Sequence, residues 1–220
     1  MPKVDETYFE KKRNAILDAA EEICAAKPLY KLTMKDVIRR TGLSPGAVYA
    51  SFSDIDEVII ALINRLSDDV DFVEETDRIL RDAVLPEEKI TALCKYLVKL
   101  IYATVDGKGK LYYELATITT DSARTQKLKK GIHEMQMYGY VQATLVGIVE
   151  EYAACGYFTP AVALKSVYAF GVAFIDGLLR DLTLVRCYNA ETPGGITFEE
   201  DDMADSFAAS VLFLLNKKER

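Results

Sequence analysis

The stretch that decides the fold runs from Thr33 to Phe52 and reads TMKDVIRRTGLSPGAVYASF. Thr33 offers a capping hydroxyl, and Met34, Val37 and Ile38 share one face of a short helix that follows it. Gly42 marks the end of that helix and permits a sharp turn. Ser44 then caps a further short helix, with Pro45 at the first position, where a missing N–H costs nothing, and Ala47 to Phe52 as its remainder. Leu43 and Val48 are expected to point inward and brace the pair. Two short helices joined by a turn of about four residues are helix-turn-helix geometry, with the N-terminal half of the second helix left projecting.

Outward from this core the periodicity stays helical. Upstream, Ile16, Ala19, Ala20, Ile23 and Cys24 place a first amphipathic helix over Tyr8 to Ala26, with Lys11, Lys12 and Arg13 in its first half and Pro28 beyond its end. Downstream, Ser53 and Asp54 with Asp56 and Glu57 read as a capped start. Val58, Ile59, Leu62, Ile63 and Leu66 carry that fourth helix on into the acidic stretch Asp68 to Asp77. Further helices are predicted over Pro86–Ala103, Lys110–Thr120, Ser122 to about Ala154, Thr159 or Pro160 to about Arg186, and Asp201–Lys217. Cys187 to Glu200 is the longest loop. The fold class is therefore all-α with about nine helices. A three-helix unit occupies residues 1–54, and a larger helical domain, entered through the fourth helix, occupies 55–220.

The composition narrows the function classes. Of 220 residues, 50% are hydrophobic, enough for a packed core, and the 12 Gly and 6 Pro are few for a turn-rich β-sandwich. The start of the chain is polar and charged, so no secretory leader is expected and the protein is read as cytoplasmic. Val167 to Val185 is the most apolar run, but Asp176, Arg180 and Asp181 interrupt it, so it is read as a buried helix and no membrane partner is expected. Cys24, Cys94, Cys155 and Cys187 are widely spaced and accompanied by a single histidine, His133. That argues for reduced core cysteines and against a metal site. No nucleophile and base at motif spacing and no phosphate-cradling glycine loop appear, so neither an enzyme nor a cofactor is expected. The formal net charge of -7 disfavours nucleic acid on average, but residues 1–53 hold nine basic against seven acidic side chains, and 54–220 hold eighteen against twenty-seven. Only the first segment can face phosphate comfortably.

On that segment the candidates for DNA contact are Thr33, Lys35, Ser44, Pro45, Gly46, Ala47, Tyr49 and Ser51. Thr33 and Lys35 are placed to grip the backbone, whereas Ser44, Gly46 and Tyr49 give small or hydrogen-bonding surface to a groove. Spacing alone fits an ordinary helical hairpin equally well. The string Ile16, Met34, Val37, Gly42, Leu43, Ser44, Gly46, Tyr49, Phe52 and Val58, however, resembles the N-terminal domain of TetR-type transcriptional repressors over about residues 8–63. The rest matches in length and helix order and in the Asp176-Gly177 step.

The resemblance implies a homodimer that reads a palindromic double-stranded DNA operator, and a C-terminal domain whose small-molecule effector alters the spacing of the two heads. Three positions depart from the family pattern. Ile55 stands where a phosphate-binding Lys is usual, Ser51 replaces an aromatic or His, and Ile38 replaces a smaller residue. The first two weaken backbone grip, by about one unit of salt slope per lost contact, which leaves Lys11, Lys12 or Arg13 to compensate. A helical ligand-binding or scaffold protein with weakened DNA affinity is the alternative reading.

The resemblance also puts the effector among the middle helices, where Tyr96, Tyr112, Tyr113, His133, Met137, Tyr138, Phe170 and Phe174 are the pocket candidates, with Tyr102 and Tyr140 nearby. Such residues at helical spacing serve more often as plain core. Ala169, Ala173, Gly177, Phe207, Val211 and Leu214 on the last two helices are the candidates for a two-fold interface, since apolar positions on more than one face need partners on both sides. A single buried central helix in a monomer would satisfy the same pattern.

Overall fold

The computed structural model describes residues 6–65, 71–118 and 122–216. Among these the chain forms ten α-helices, two 3-10 turns and no β-strand. The helices are α1 Glu6–Ala26, α2 Met34–Thr41, α3 Pro45–Tyr49, α4 Ile55–Arg65, α5 Phe72–Asp82, α6 Pro86–Ile118, α7 Ser122–Gly131, α8 His133–Ala154, α9 Leu164–Tyr188 and α10 Glu200–Leu215. The 3-10 turns are Leu29–Lys31 and Pro193–Gly195.

Packing divides the chain into two compact units. One comprises residues 1–68 with 111–134, and the other 69–110 with 135–220. The first unit thus holds more than the three helices before residue 54, because α4 packs on both α1 and α7. Its interior is Ile16, Ala20, Leu29, Val37, Val48, Phe52, Val58, Leu62 and Ile63, joined by Leu115, Leu128 and Ile132. Burial of each large side chain contributes about 1.5–3 kcal/mol, which outweighs the weak helicity of pieces as short as α2 and α3.

The second unit is built on Ile90, Leu93, Cys94, Leu97, Val98 and Ile101 of α6, packed with Val141 and Val149 of α8, Val167, Ile175, Leu178 and Leu182 of α9, and Phe207 and Val211 of α10. Phe174 and Phe207 stack with ring centroids 4.4 Å apart. The segment after α8 is tied to the end of α10, since the Thr159 and Ala161 N–H groups donate to the Asn216 and Leu214 carbonyls.

Several expected boundaries move. The single long helix over 122–154 is two, broken at Ile132. The helices expected at 86–103 and 110–120 are one, α6, interrupted at Lys108, whose φ of -154° and ψ of 22° are non-helical. Helix α9 begins at Leu164, because the chain from Thr159 to Ala163 is extended onto α10 before it can turn. An additional helix, α5, starts in the acidic stretch, where the Asp71 carboxylate accepts from the Val73 and Glu74 N–H groups. Leu66, the run 66–70 beyond α4, Thr119, Thr120 and Lys217 lie outside the described residues. Cys24 and Cys94 are buried as expected, and burial pushes the Cys94 thiol up to about 12. Cys155 is exposed and is not a core cysteine, whereas Cys187 is half-buried and packs against the core of the second unit. Among the described residues no helix is long and apolar enough to cross a membrane.

Candidate nucleic-acid interface

The pair α2 and α3 is set by its caps. The Thr33 hydroxyl accepts from the Asp36 N–H at 3.2 Å and donates to the Asp36 carboxylate at 2.6 Å, while the Thr33 N–H donates to the same carboxylate at 3.2 Å. Lys27 Nζ lies 2.6 Å from Asp36 Oδ2 and Arg39 2.9 Å from Oδ1. Hydrogen bonds from Lys27 and then from Thr33 hold the Asp36 carboxyl down to about 2. Helix α2 ends at Gly42, whose φ of 68° puts it in the left-handed region. The Ser44 Oγ then accepts from the Ala47 N–H at 3.3 Å and opens α3.

Helix α3 is fixed from below and open above. Val48 is fully buried and Phe52, just beyond the helix, is 1% exposed. Arg13 of α1 covers the Phe52 ring, its guanidinium carbon 4.1 Å from the centroid, and donates to the Ser51 carbonyl at 3.2 Å. On the opposite side Tyr49 is 51% exposed, Ser44, Pro45 and Gly46 are exposed, and a Cβ added at Gly46 would meet nothing within 4 Å. Ala47 and Leu43 are half-buried. The helix is shorter than expected, ending at Tyr49 with Ala50 as its cap, because Ser51 and Phe52 turn back toward Val48.

The predicted contact residues therefore fall into two groups. Ser44, Gly46 and Tyr49 share the open face of α3, and Lys35 is exposed on α2. Thr33 is exposed, but its hydroxyl is engaged within the α2 cap, and Ser51 is half-buried with its hydroxyl 3.4 Å from the Ala47 carbonyl. Of the three compensating cations, Arg13 is committed to Phe52 and Ser51, Lys12 lies 5.3 Å from the Tyr8 ring centroid, and Lys11 is exposed.

Residues missed by sequence reasoning join the head to the segment 111–134. The Arg124 guanidinium is bidentate on Asp56, with Nε–Oδ1 at 2.9 Å and an Nη to Oδ1 at 2.6 Å, and Lys127 Nζ is 2.5 Å from Asp54 Oδ2. At the other end of α4, Asn64 donates to the Gly131 carbonyl at 2.7 Å and accepts from the His133 N–H at 3.0 Å. The buried Glu114 carboxylate accepts from the Leu29 N–H at 2.6 Å. These partners lie 67 to 85 residues apart in sequence, and no local pattern announces them.

The eight pocket candidates are shared between the two units. Tyr112, Tyr113 and His133 belong to the first unit, with His133 exposed, and the other five belong to the second. Tyr138 pairs with the Thr104 hydroxyl at 3.0 Å, and Tyr102 donates to the Phe198 carbonyl at 3.0 Å. Met137 is core, and Phe170 and Phe174 form an aromatic cluster with Phe207. Tyr140 packs edge-on to Phe72. Tyr96 is buried with no partner for its hydroxyl among the described residues, and its pKa is raised by that burial and then by Glu75. A cavity of about 100 Å³ in the second unit is lined by other residues, among them Leu97, Leu145, Val149, Val167 and Ile175. Of the dimer candidates, Phe207 and Val211 are buried in the chain's own core, Gly177 and Leu214 are half-buried, and Ala169 and Ala173 are exposed. The exposed Val172 and Phe213, the latter 79% exposed, were not among those candidates.

Comparison with known proteins agrees with this geometry. Residues 16–62 match the family described as bacterial regulatory proteins, tetR family. The chain is 26% identical over 184 residues to the uncharacterized HTH-type transcriptional regulator YfiR of Bacillus subtilis, covering 82% of this chain and 84% of the relative. It is 28% identical over 135 residues to the HTH-type transcriptional repressor Rv1474c of Mycobacterium tuberculosis, covering 58% and 72%. Its fold is similar to that of NalD, the secondary repressor of the MexAB-OprM multidrug efflux pump in Pseudomonas aeruginosa, with a TM-score of 0.63 at 17% identity over 96% of this chain and 100% of that one. The class that the fold and these likenesses define is that of chains with a helix-turn-helix head of the tetR-family type. The stretch 16–62 is in particular similar to the N-terminal domain of the TetR-family transcriptional regulators.

Proposed function

We propose that the chain is a ligand-responsive repressor that binds a palindromic operator as a homodimer and leaves it when a small-molecule effector binds. The observation that carries this reading is the open face of α3, where Ser44, Gly46 and exposed Tyr49 sit on a helix fixed from beneath by Val48, Phe52 and Arg13. A helix so braced presents base-reading side chains without paying to order them. Two heads related by a two-fold axis would meet successive major grooves about 34 Å apart. Such a protein works in the cytoplasm, on chromosomal DNA.

Exposed Ala169, Val172, Ala173 and Phe213 favour a dimer through α9 and α10, since small residues let helices approach closely and the Phe213 ring is largely uncovered among the described residues. The effector is taken up by the second unit, where the apolar cavity suits a small hydrophobic molecule. It acts by binding better to a conformation whose heads no longer match the two grooves.

The test is selection of fragmented genomic DNA on the purified protein at near-physiological salt, followed by sequencing. Enrichment of a short palindrome is expected. No enrichment, repeated after refolding to strip co-purified ligand, would favour the second reading, a helical ligand-binding protein with weakened DNA affinity. That reading draws on Ile55, which stands between the carboxylates of Asp54 and Asp56 at the start of α4.

A further inference from the structure

The start of α4 is an unfavourable neighbour for DNA. It follows α3 after a short turn, and in place of a cation it offers Asp54, Ile55, Asp56 and Glu57 in succession. The Glu57 carboxylate is turned back to accept from the Ser53 N–H at 2.7 Å, and the Asp54 carboxylate accepts from the Glu57 N–H at 3.0 Å. Those two bonds cap the helix but leave its negative charge in place. An uncompensated carboxylate within a Debye length of about 8–10 Å of a phosphate raises the cost of binding and lowers the number of counterions released.

The compensation comes from α7. Arg124 and Lys127 are one turn apart, on the face of α7 that meets α4. Arg124 forks onto Asp56, which is only 15% exposed, and Lys127 reaches Asp54. Burial raises the Asp54 carboxyl, but the Lys127 hydrogen bond, the backbone bond from Glu57 and the Lys127 charge together outweigh it and hold the group below its ordinary range, and Lys127 is correspondingly raised. The register is pinned at the far end, where the Asn64 amide holds Gly131 and His133 and Ile60 crowds Gly131 so closely that an added Cβ would lie 2.6 Å from it.

Resting on the DNA-binding reading above, we propose that Arg124 and Lys127 are positioning residues for DNA binding: they shield Asp54 and Asp56, so that α4 meets the phosphate backbone without a net negative edge. The cations need not touch DNA themselves. What they decide is whether the residues beside α3 repel it.

The test measures binding of the full chain to a short fluorescent mixed-sequence duplex by anisotropy at about 50 mM and about 200 mM salt. Arg124→Ala with Lys127→Ala is expected to lower affinity about tenfold at the lower salt and much less at the higher, where exposed carboxylates are screened. Adding Asp54→Asn and Asp56→Asn to that variant should restore affinity, although no ion pair is regained. Asn remains a good cap at position 54. Asp54→Asn with Asp56→Asn in the parent chain should bind severalfold tighter than the parent, and this arm holds even if the first variant fails to fold. A loss that is the same at both salts, or that the Asn substitutions fail to restore, would mean that the ion pairs act only by holding the fold or by direct contact, and would overturn the proposal. So would an Asn pair that binds no better than the parent. A parent chain that does not bind the duplex at all would overturn the DNA-binding reading itself, and the proposal with it.

Discussion

Tyr49 is the residue on which the reading of DNA turns. Its ring is half in solvent, at the end of a helix whose buried side is supplied by Val48, so truncation removes surface and leaves the core intact. Tyr49→Ala is expected to weaken operator binding with little change in stability, within about 0.5 kcal/mol. Binding titrations beside a thermal melt would check both halves, and unchanged affinity would remove α3 as the reader. Gly42 is the converse, a residue whose role lies wholly in the backbone. No neighbour stands within 4 Å of an added Cβ, yet φ is 68°, so Gly42→Val should cost about 1–2 kcal/mol in denaturant unfolding through conformation alone. Asp36 supplies a pH signature. Its folded pKa of about 2 lies below its ordinary 3.8, so its contribution is complete above about pH 4 and is lost as pH falls toward 2. Parent and Asp36→Asn should therefore differ in urea midpoint at neutral pH and converge at low pH; a gap constant across that window would refute the linkage.

Among the elements, the break between α7 and α8 shows how tertiary partners redraw helix boundaries. The sequence over Ser122 to Ala154 is helical throughout in its periodicity, and it contains no proline. The chain nevertheless breaks at Ile132, a fully buried residue, and the Asn64 side chain from α4 serves the Gly131 carbonyl and the His133 N–H on either side of the gap. Removing that amide leaves two backbone groups to find water. Asn64→Ala should destabilise by about 1–3 kcal/mol in chemical denaturation. At the same crossing, Gly131→Ala would press on the Ile60 side chain, and Ile60→Val should recover part of that loss because the crowded atoms include Cδ1. Additive effects of the two substitutions would show that the close approach is not what selects glycine.

For the molecule as a whole, the first and second units answer to different demands. The first leaves the aromatic rings of Tyr8, Phe9, Tyr30 and Tyr49 exposed and pairs its charges internally, as Arg65 does with Asp18 and Glu21. The second leaves Val172 and Phe213 to solvent on its last two helices. If those surfaces meet a second copy, Phe213→Glu should convert a dimer to a monomer in sedimentation analysis while the far-ultraviolet dichroism of the fold is unchanged. Operator affinity would fall with it, since each head alone holds half the phosphate contacts. A parent chain that sediments as a monomer at every concentration would end the homodimer reading.

Much of this protein was settled by local chemistry. The caps at Thr33 and Ser44, the left-handed turn at Gly42, and the apolar spacing of Ile16, Val37, Val48 and Val58 are short-range signals, and each holds in the folded chain. They suffice for an all-α fold with a helix-turn-helix head. Tertiary packing alone decided that α7 belongs with that head, that Arg124 and Lys127 cover the acidic start of α4, and which of the two units each aromatic residue of the middle helices joins. The physical reason is distance along the chain. A cap or turn is fixed by residues within one helical turn, whereas an ion pair across 68 residues depends on which helix faces are brought together, and periodicity does not specify that.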